Sequence, residues 1–219
     1  MVSCQVYHSN PRSRDDHFHS SPNVKLAVHQ GDLSQLLDAG EGHRLVAQLL
    51  VVVGLLTTTP GWCDALEVTL HRIDASGVGE SIGSVTAQDT DQGLVIYPDL
   101  VGMSPGEHGF HLHSIGSCEP GQNAEGTMVA GLASGGHWDP DGSDQHLGPF
   151  GNGHRGDLSR LVVDADGKTN TSVVAPRLST ADLKGKALVV HAGGDTYRDE
   201  PTLGGGGGRI ACGVVSEER

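Results

Sequence analysis

Aromatic side chains are scarce in this sequence: three Phe, three Tyr and two Trp make up 4 % of 219 residues. Together with 33 glycines, that scarcity suits short strands joined by turns better than packed helices. Positive charge is also in short supply, with 14 Lys and Arg against 27 Asp and Glu and a formal net charge of −13. Binders of nucleic acid or of anionic membranes concentrate Lys and Arg, so those partners are excluded. Small substrates are not, because a site can carry a local positive field on an acidic protein. The apolar run LVAQLLVVVGLL (45–56) carries no charge but is too short to span a bilayer comfortably, which takes about 20 residues. Cysteine is limited to four residues, Cys4, Cys63, Cys118 and Cys212.

That apolar run follows Arg44 and precedes TTTPGWCDA. A positive flank, a short uncharged run and small residues downstream read as a secretory signal, with cleavage expected after Ala65. The preceding stretch, 1–43, has no hydrophobic period; it is expected to be a disordered extension produced by an upstream misread of the start. Its His17-x-His19 pair sits in a polar tract and is given no role. The mature part, 66–219, keeps only Cys118 and Cys212. In an oxidising compartment a disulfide is their default state, and closing a loop of that length contributes roughly 4–5 kcal/mol.

Along 66–219, LEVTLHR (66–72), SIGSVTAQ (81–88), GLVIYP (93–98), HGFHLHS (108–114), DLSRLVV (157–163), TNTSVVA (169–175), KALVVHA (186–192) and RIACGVV (209–215) read as short strands. The DADG between the fifth and sixth predicts a hairpin. Only 178–185 suggests a helical turn. Short strands punctuated by turns predict an all-β sandwich or barrel. Two long Gly-, Pro- and Asp-rich loops interrupt the pattern, one from Cys118 to about Gly156 and one over 193–208. Loops of such length in a compact domain are usually functional or disordered.

The histidines give these loops a purpose. There are 13, and His71, His108, His111, His113, His137, His146, His154 and His191 lie beyond position 65. His111 and His113 are two apart on a strand, so both imidazoles leave one face and can share one ion. Alone, a His-x-His pair is a weak signal that recurs in zinc hydrolases and cupins. His137, His146, His154 and Asp157 follow in the first loop, and a loop folded back on itself can close three nitrogens and one carboxylate oxygen around a second ion. That donor set suits tetrahedral zinc.

The segments HGFHLH (108–113), GGHWDP (135–140), HRGDL (154–158), VVHAGGD (189–195) and GGGGGRIACGV (204–214) resemble, in order and spacing, the bacterial exported copper–zinc superoxide dismutases. The resemblance covers residue 66 to the end. It implies an eight-stranded Greek-key β-barrel or sandwich, immunoglobulin-like, with two long functional loops. It implies one copper per subunit, held by His111, His113, His137 and His191, and one zinc, held by His137, His146, His154 and Asp157, with His137 bridging both. The implied reaction takes two superoxide anions and two protons to dioxygen and hydrogen peroxide, as copper is alternately reduced and reoxidised, in antioxidant defence outside the cytoplasm. Arg209 matches the arginine that attracts and orients the anion, and Asp195 matches the aspartate that hydrogen-bonds one copper and one zinc histidine, here His111 and His146. Cys118 and Cys212 match the family disulfide. The expected form is a periplasmic or otherwise exported homodimer with no membrane span after processing.

Other residues are set aside. His108 is out of phase with His111 and His113 and is assigned a structural hydrogen bond, while His71 is assigned to the surface. Gly204–Gly208 lacks the Lys-Ser/Thr and following helix of a phosphate loop, and reads as a segment that lets the chain approach the copper channel closely. For Trp138, core, loop anchor and dimer contact remain open. A zinc-only hydrolase or cupin-like enzyme using His111, His113 and a later His is disfavoured because no acidic residue follows the pair before Glu119 and the second ligand group is left without a use. A non-catalytic metal-binding protein of the same fold is the alternative reading.

Overall fold

The computed structural model describes residues 65–217 except Asn170. The expected extension at 1–43 and signal segment at 44–65 lie outside the described residues, apart from Ala65. The described chain runs β1 (Leu66–Asp74), β2 (Gly77–Thr90), β3 (Gly93–Leu100), β4 (Gly106–His108), β5 (Phe110–His113), β6 (Gly121–Gln122), β7 (Met128–Val129), β8 (Leu161–Val163), β9 (Val173–Ala175), α1 (Thr180–Leu183), β10 (Ala187–His191) and β11 (Arg209–Val214). Among the described residues the one α-helical turn falls where 178–185 predicted it; Asp182 caps it by accepting from the Ser179 amide and hydroxyl. No helix among the described residues is long and apolar enough to cross a membrane.

Seven strands form one curled antiparallel sheet in the order β5-β10-β11-β1-β2-β3-β9, and β4 pairs with β8. β4 and β5 are one path interrupted only at Gly109, whose amide donates to the Gly193 carbonyl and whose carbonyl accepts from the His191 amide. Counted as one strand, and with the small β6–β7 ladder assigned to the loop that carries it, they give the eight strands that the pattern predicts.

The 164–167 turn forms, with the Asp164 amide bonded to the Lys168 carbonyl, but the hairpin it predicts does not propagate. After a single bridge between Val163 and Thr169 the two strands part: β8 continues along β4, and β9 pairs with β3. β8 also starts later than expected, because Asp157 is held by the loop before it.

Alternation sets the two faces of the sheet. Val68 and Leu70 of β1, Leu94 and Ile96 of β3, Phe110 and Leu112 of β5, and Leu188 and Val190 of β10 point into one core. Each such side chain contributes about 1.5–3 kcal/mol by leaving water. The intervening residues of β5 and β10 point the other way, and they are buried too. His111 lies opposite Val189 and His113 opposite Ala187, so both histidines share the outer face with Val189, Ala187 and Cys212. What covers that face is the loop beginning at Cys118, which the Cys118–Cys212 disulfide ties to β11.

Candidate metal centre

Strand register puts three of the expected residues side by side. His111 and His113 leave the outer face of β5, and His191 ends the neighbouring β10, where the pairing shifts by one residue and sets His191 across from Arg209 on β11. His137 reaches the same place from the loop through an antiparallel bridge to His113. One ligating atom from each of His111, His113, His137 and His191 lies within 4.8 Å of all the others. The atoms that converge are defined by what the opposite ring nitrogens do. His111 donates its Nε2–H to Asp195 Oδ2 (2.7 Å), His113 its Nδ1–H to the Gly135 carbonyl (2.9 Å) and His191 its Nδ1–H to the Gly207 carbonyl (3.1 Å). These bonds fix the tautomers and leave lone pairs on His111 Nδ1, His113 Nε2 and His191 Nε2. All three nitrogens, together with His137 Nε2, are buried and have no hydrogen-bond partner among the described residues. Four buried polar atoms without partners carry a large desolvation cost unless a cation accepts their lone pairs.

The second group lies on the other side of the same ring. His137 Nδ1, His146 Nδ1 and His154 Nδ1 lie 3.0, 2.9 and 3.3 Å from Asp157 Oδ1. The other oxygen of Asp157 accepts the Leu147 and Gly148 amides, which fixes the carboxylate. His137 therefore belongs to both groups, one nitrogen in each. His111, His146 and Asp195 also cluster, but there the nitrogens are already engaged: His111 and His146 donate Nε2–H to the two oxygens of Asp195, at 2.7 and 2.8 Å. Asp195 is thus the strut between the two groups rather than a third donor set.

Charge follows burial. Desolvation, reinforced by repulsion from His137, pushes His111 down to about 3, and desolvation pushes His191 down to about 4. His113 and His137 are lowered for the same reason, so these rings present neutral lone pairs at physiological pH. Burial acts on His146 in the same direction, but hydrogen bonds to Asp157 and Asp195 outweigh it and draw the ring up to about 9. Burial alone would raise Asp157 and Asp195; their histidine donors hold both below the usual carboxylate range. Burial lowers Arg209, yet a guanidinium keeps its charge. Its Nη1 donates to the Gly131 carbonyl (2.6 Å) and its Nη2 to the Gly135 carbonyl (2.8 Å).

The glycine run earns its place at Gly204, where φ is 76° and a Cβ would lie 2.3 Å from Asp195 Oδ1 and 2.7 Å from His146 Nε2. His108 stays out of both groups, its ring nitrogens 2.8 Å from the His191 and Ser104 carbonyls. Trp138 packs on the core, with the Lys186 ammonium 4.5 Å from its ring centre. Several supporting residues escaped the reading of the sequence. Asp199 accepts the His146 amide (2.7 Å). Arg177 donates to the Gly153 (2.8 Å) and His154 carbonyls and so clamps the loop that carries His146, His154 and Asp157. Tyr197, whose amide donates to Asp195, accepts from the Arg160 amide at 2.9 Å. No pattern in the sequence marks them, because they act on backbone groups far away along the chain.

The family model for copper/zinc superoxide dismutase matches residues 81–215. The Cu-Zn superoxide dismutase of Escherichia coli K12 is 48 % identical over 168 residues, covering 76 % of this chain and 96 % of that protein. Among solved structures, the Cu/Zn superoxide dismutase from Brucella abortus superposes with a TM-score of 0.68 at 44 % identity, covering 70 % of this chain and 100 % of that one. The monomeric copper, zinc superoxide dismutase from Salmonella enterica gives 0.63 at 49 % identity, covering 69 % and 99 %.

Proposed function

This chain belongs to the copper/zinc superoxide dismutase family and is a superoxide dismutase using copper and zinc; we propose that its copper is held by His111, His113, His137 and His191 and its zinc by His137, His146, His154 and Asp157. The observation that carries the assignment is the four unpartnered, buried imidazole nitrogens around one point. An all-imidazole set suits copper, and three imidazoles with one carboxylate form a closed zinc set. Copper, when bound, supplies the one-electron change that oxidises one superoxide to dioxygen and reduces the next to peroxide, while zinc supplies a fixed charge beside the shared ring.

The chain's own residues do the rest. When copper does not occupy it, His137 Nε2 would be the atom able to hold the proton that peroxide formation consumes, since its other nitrogen is engaged on the Asp157 side. Arg209, across from His191, presents a fixed cation to an incoming anion and orients it. Metal analysis with a superoxide-consumption assay tests the assignment: one copper and one zinc per chain with turnover supports it, and bound metals without turnover would leave only the non-catalytic reading, which the family membership does not favour.

Arg209→Ala is expected to keep both metals and to slow the reaction by about tenfold or more at low ionic strength, with the difference shrinking as salt screens the field. A rate equal to wild type at low salt contradicts the steering role. Zinc uptake provides an independent reading. Because the His146 ring is drawn up to about 9, its site is protonated at pH 7, and zinc has to displace that proton. Zinc affinity of the apoprotein therefore rises with pH up to about 9. Titration calorimetry at pH 7 in buffers of different ionisation enthalpy is expected to show close to one proton released from this ring, and no release would contradict the account.

The domain division into an extension at 1–43, a signal segment at 44–65 and an enzyme domain from 66 rests on the apolar run at 45–56 and on β1 starting at Leu66. Export is supported by the same run and by the Cys118–Cys212 disulfide, which persists in oxidising compartments. A homodimer is the assembly we propose; single-chain sedimentation at micromolar concentration, the state described for the Salmonella enterica relative, would contradict it.

A further inference from the structure

We propose that Ser134 is a positioning residue for the reaction, its hydroxyl linking the copper-side ring of His113 to the guanidinium of Arg209. The inference rests on the metal assignment above and adds a residue that the assignment does not contain. Ser134 ends a 3-10 turn, Leu132–Ser134, just before the Gly135–Gly136 pair that leads to His137, and it is fully buried. Its Oγ donates to the Gly131 carbonyl at 2.9 Å, so its single proton is committed within its own turn. The lone pairs remain, and two donors from other elements approach them. His113 Nδ1 is 3.1 Å away and shares its proton between Ser134 Oγ and the Gly135 carbonyl. Arg209 Nη1 is 3.3 Å away and also donates to the Gly131 carbonyl.

Every hydrogen-bonding capacity of this hydroxyl is therefore used, and it is used to join β5, β11 and the loop that carries His137. The consequence for Arg209 is directional. Its Nη1 and one Nη2–H face Gly131, Ser134 and Gly135, while Nε–H and the second Nη2–H have no partner among the described residues. Those two share one edge of the planar guanidinium, an edge suited to a small two-oxygen anion. The consequence for His113 is a fixed ring plane, with Nε2 kept at the copper-side cluster. Alanine at this position leaves both carbonyls in place but removes the link between the two donors.

The test uses metal-loaded wild type, Ser134→Ala, Arg209→Ala and the double variant. Ser134→Ala is expected to retain one copper and one zinc and to slow superoxide consumption by about 2- to 10-fold at low ionic strength. Its Cu(II) electron paramagnetic resonance spectrum is expected to change as the His113 ring, held from behind by the Gly135 carbonyl alone, tilts. In the Arg209→Ala background the serine substitution should add no further slowing, since its effect on rate passes through the arginine. A wild-type rate and spectrum in Ser134→Ala would overturn the proposal and reduce the hydroxyl to closing its own turn. Fully additive slowing in the double variant would overturn the route through Arg209.

A second measurement needs no variant. In the reduced copper(I)–zinc holoenzyme, a slowly exchanging His113 Nδ1–H resonance with an Overhauser contact to the Ser134 β-protons is expected, and rapid exchange with solvent would overturn the link. Wild type serves as the control for the underlying reading: a wild-type protein without turnover or without copper defeats the metal assignment and this inference together, whereas an active wild type beside an unchanged Ser134→Ala defeats the inference alone.

Discussion

His191→Ala is expected to abolish superoxide consumption and to lose copper while keeping zinc. The ring at 191 supplies one of the four unpartnered nitrogens of the copper-side group and none of the second group. Its orientation is fixed from behind: Nδ1 is 3.1 Å from the Gly207 carbonyl, and a Cβ on Gly206 would lie 3.1 Å from His191 Cβ, so the glycine loop packs directly on it. Loss of a hydrogen-bond partner of a metal-binding ring costs roughly 10- to 100-fold in affinity or activity. Removal of the donor itself is expected to exceed that. Elemental analysis beside a rate measurement checks it: near-zero copper with zinc retained at one per chain supports the assignment. Retained copper with a rate within about tenfold of wild type contradicts it.

Cys212→Ser is expected to produce the largest loss of stability. The bridge to Cys118 spans 94 residues, and freeing a loop of that length restores entropy to the unfolded chain worth about 4–5 kcal/mol. For a domain of this size such a loss lowers the melting temperature by roughly 10–20 °C. The effect reaches the site because Cys118 begins the loop that covers the outer face of β5 and β10, and because Arg209 lies on the same strand as Cys212. Calorimetry on wild type and variant at equal copper and zinc content isolates the disulfide from metal-linked stabilisation. A melting temperature within about 2 °C of wild type contradicts the expectation.

Periodicity made most of the fold legible. Phe110 and Leu112 against His111 and His113 show two faces on one four-residue strand, and the structure uses both as the alternation requires. The β8–β9 hairpin failed for a physical reason: the turn at 164–167 is local, but the partners of the two strands, β4 and β3, are distant in sequence, and burial against them decides the pairing. Of the candidate donors, the His111-x-His113 pair was legible from strand alternation and the loop residues His137, His146, His154 and Asp157 from their clustering, while the division into two ligand groups came from the resemblance of the segments that carry them. Ser134, Asp199 and Arg177 were not, since a serine beside glycines or an arginine after a proline carries no signal until the backbone groups it holds are known.

His137 facing two ions at once is the feature that joins the two ligand groups into one centre. Anomalous difference maps from crystals of the copper- and zinc-loaded protein, collected on both sides of each absorption edge, test it directly. The expected result is one copper peak beside Nε2 of His137, enclosed by His111, His113 and His191, and one zinc peak beside Nδ1, enclosed by His146, His154 and Asp157. A single peak, or a His137 ring turned away from either ion, would contradict it.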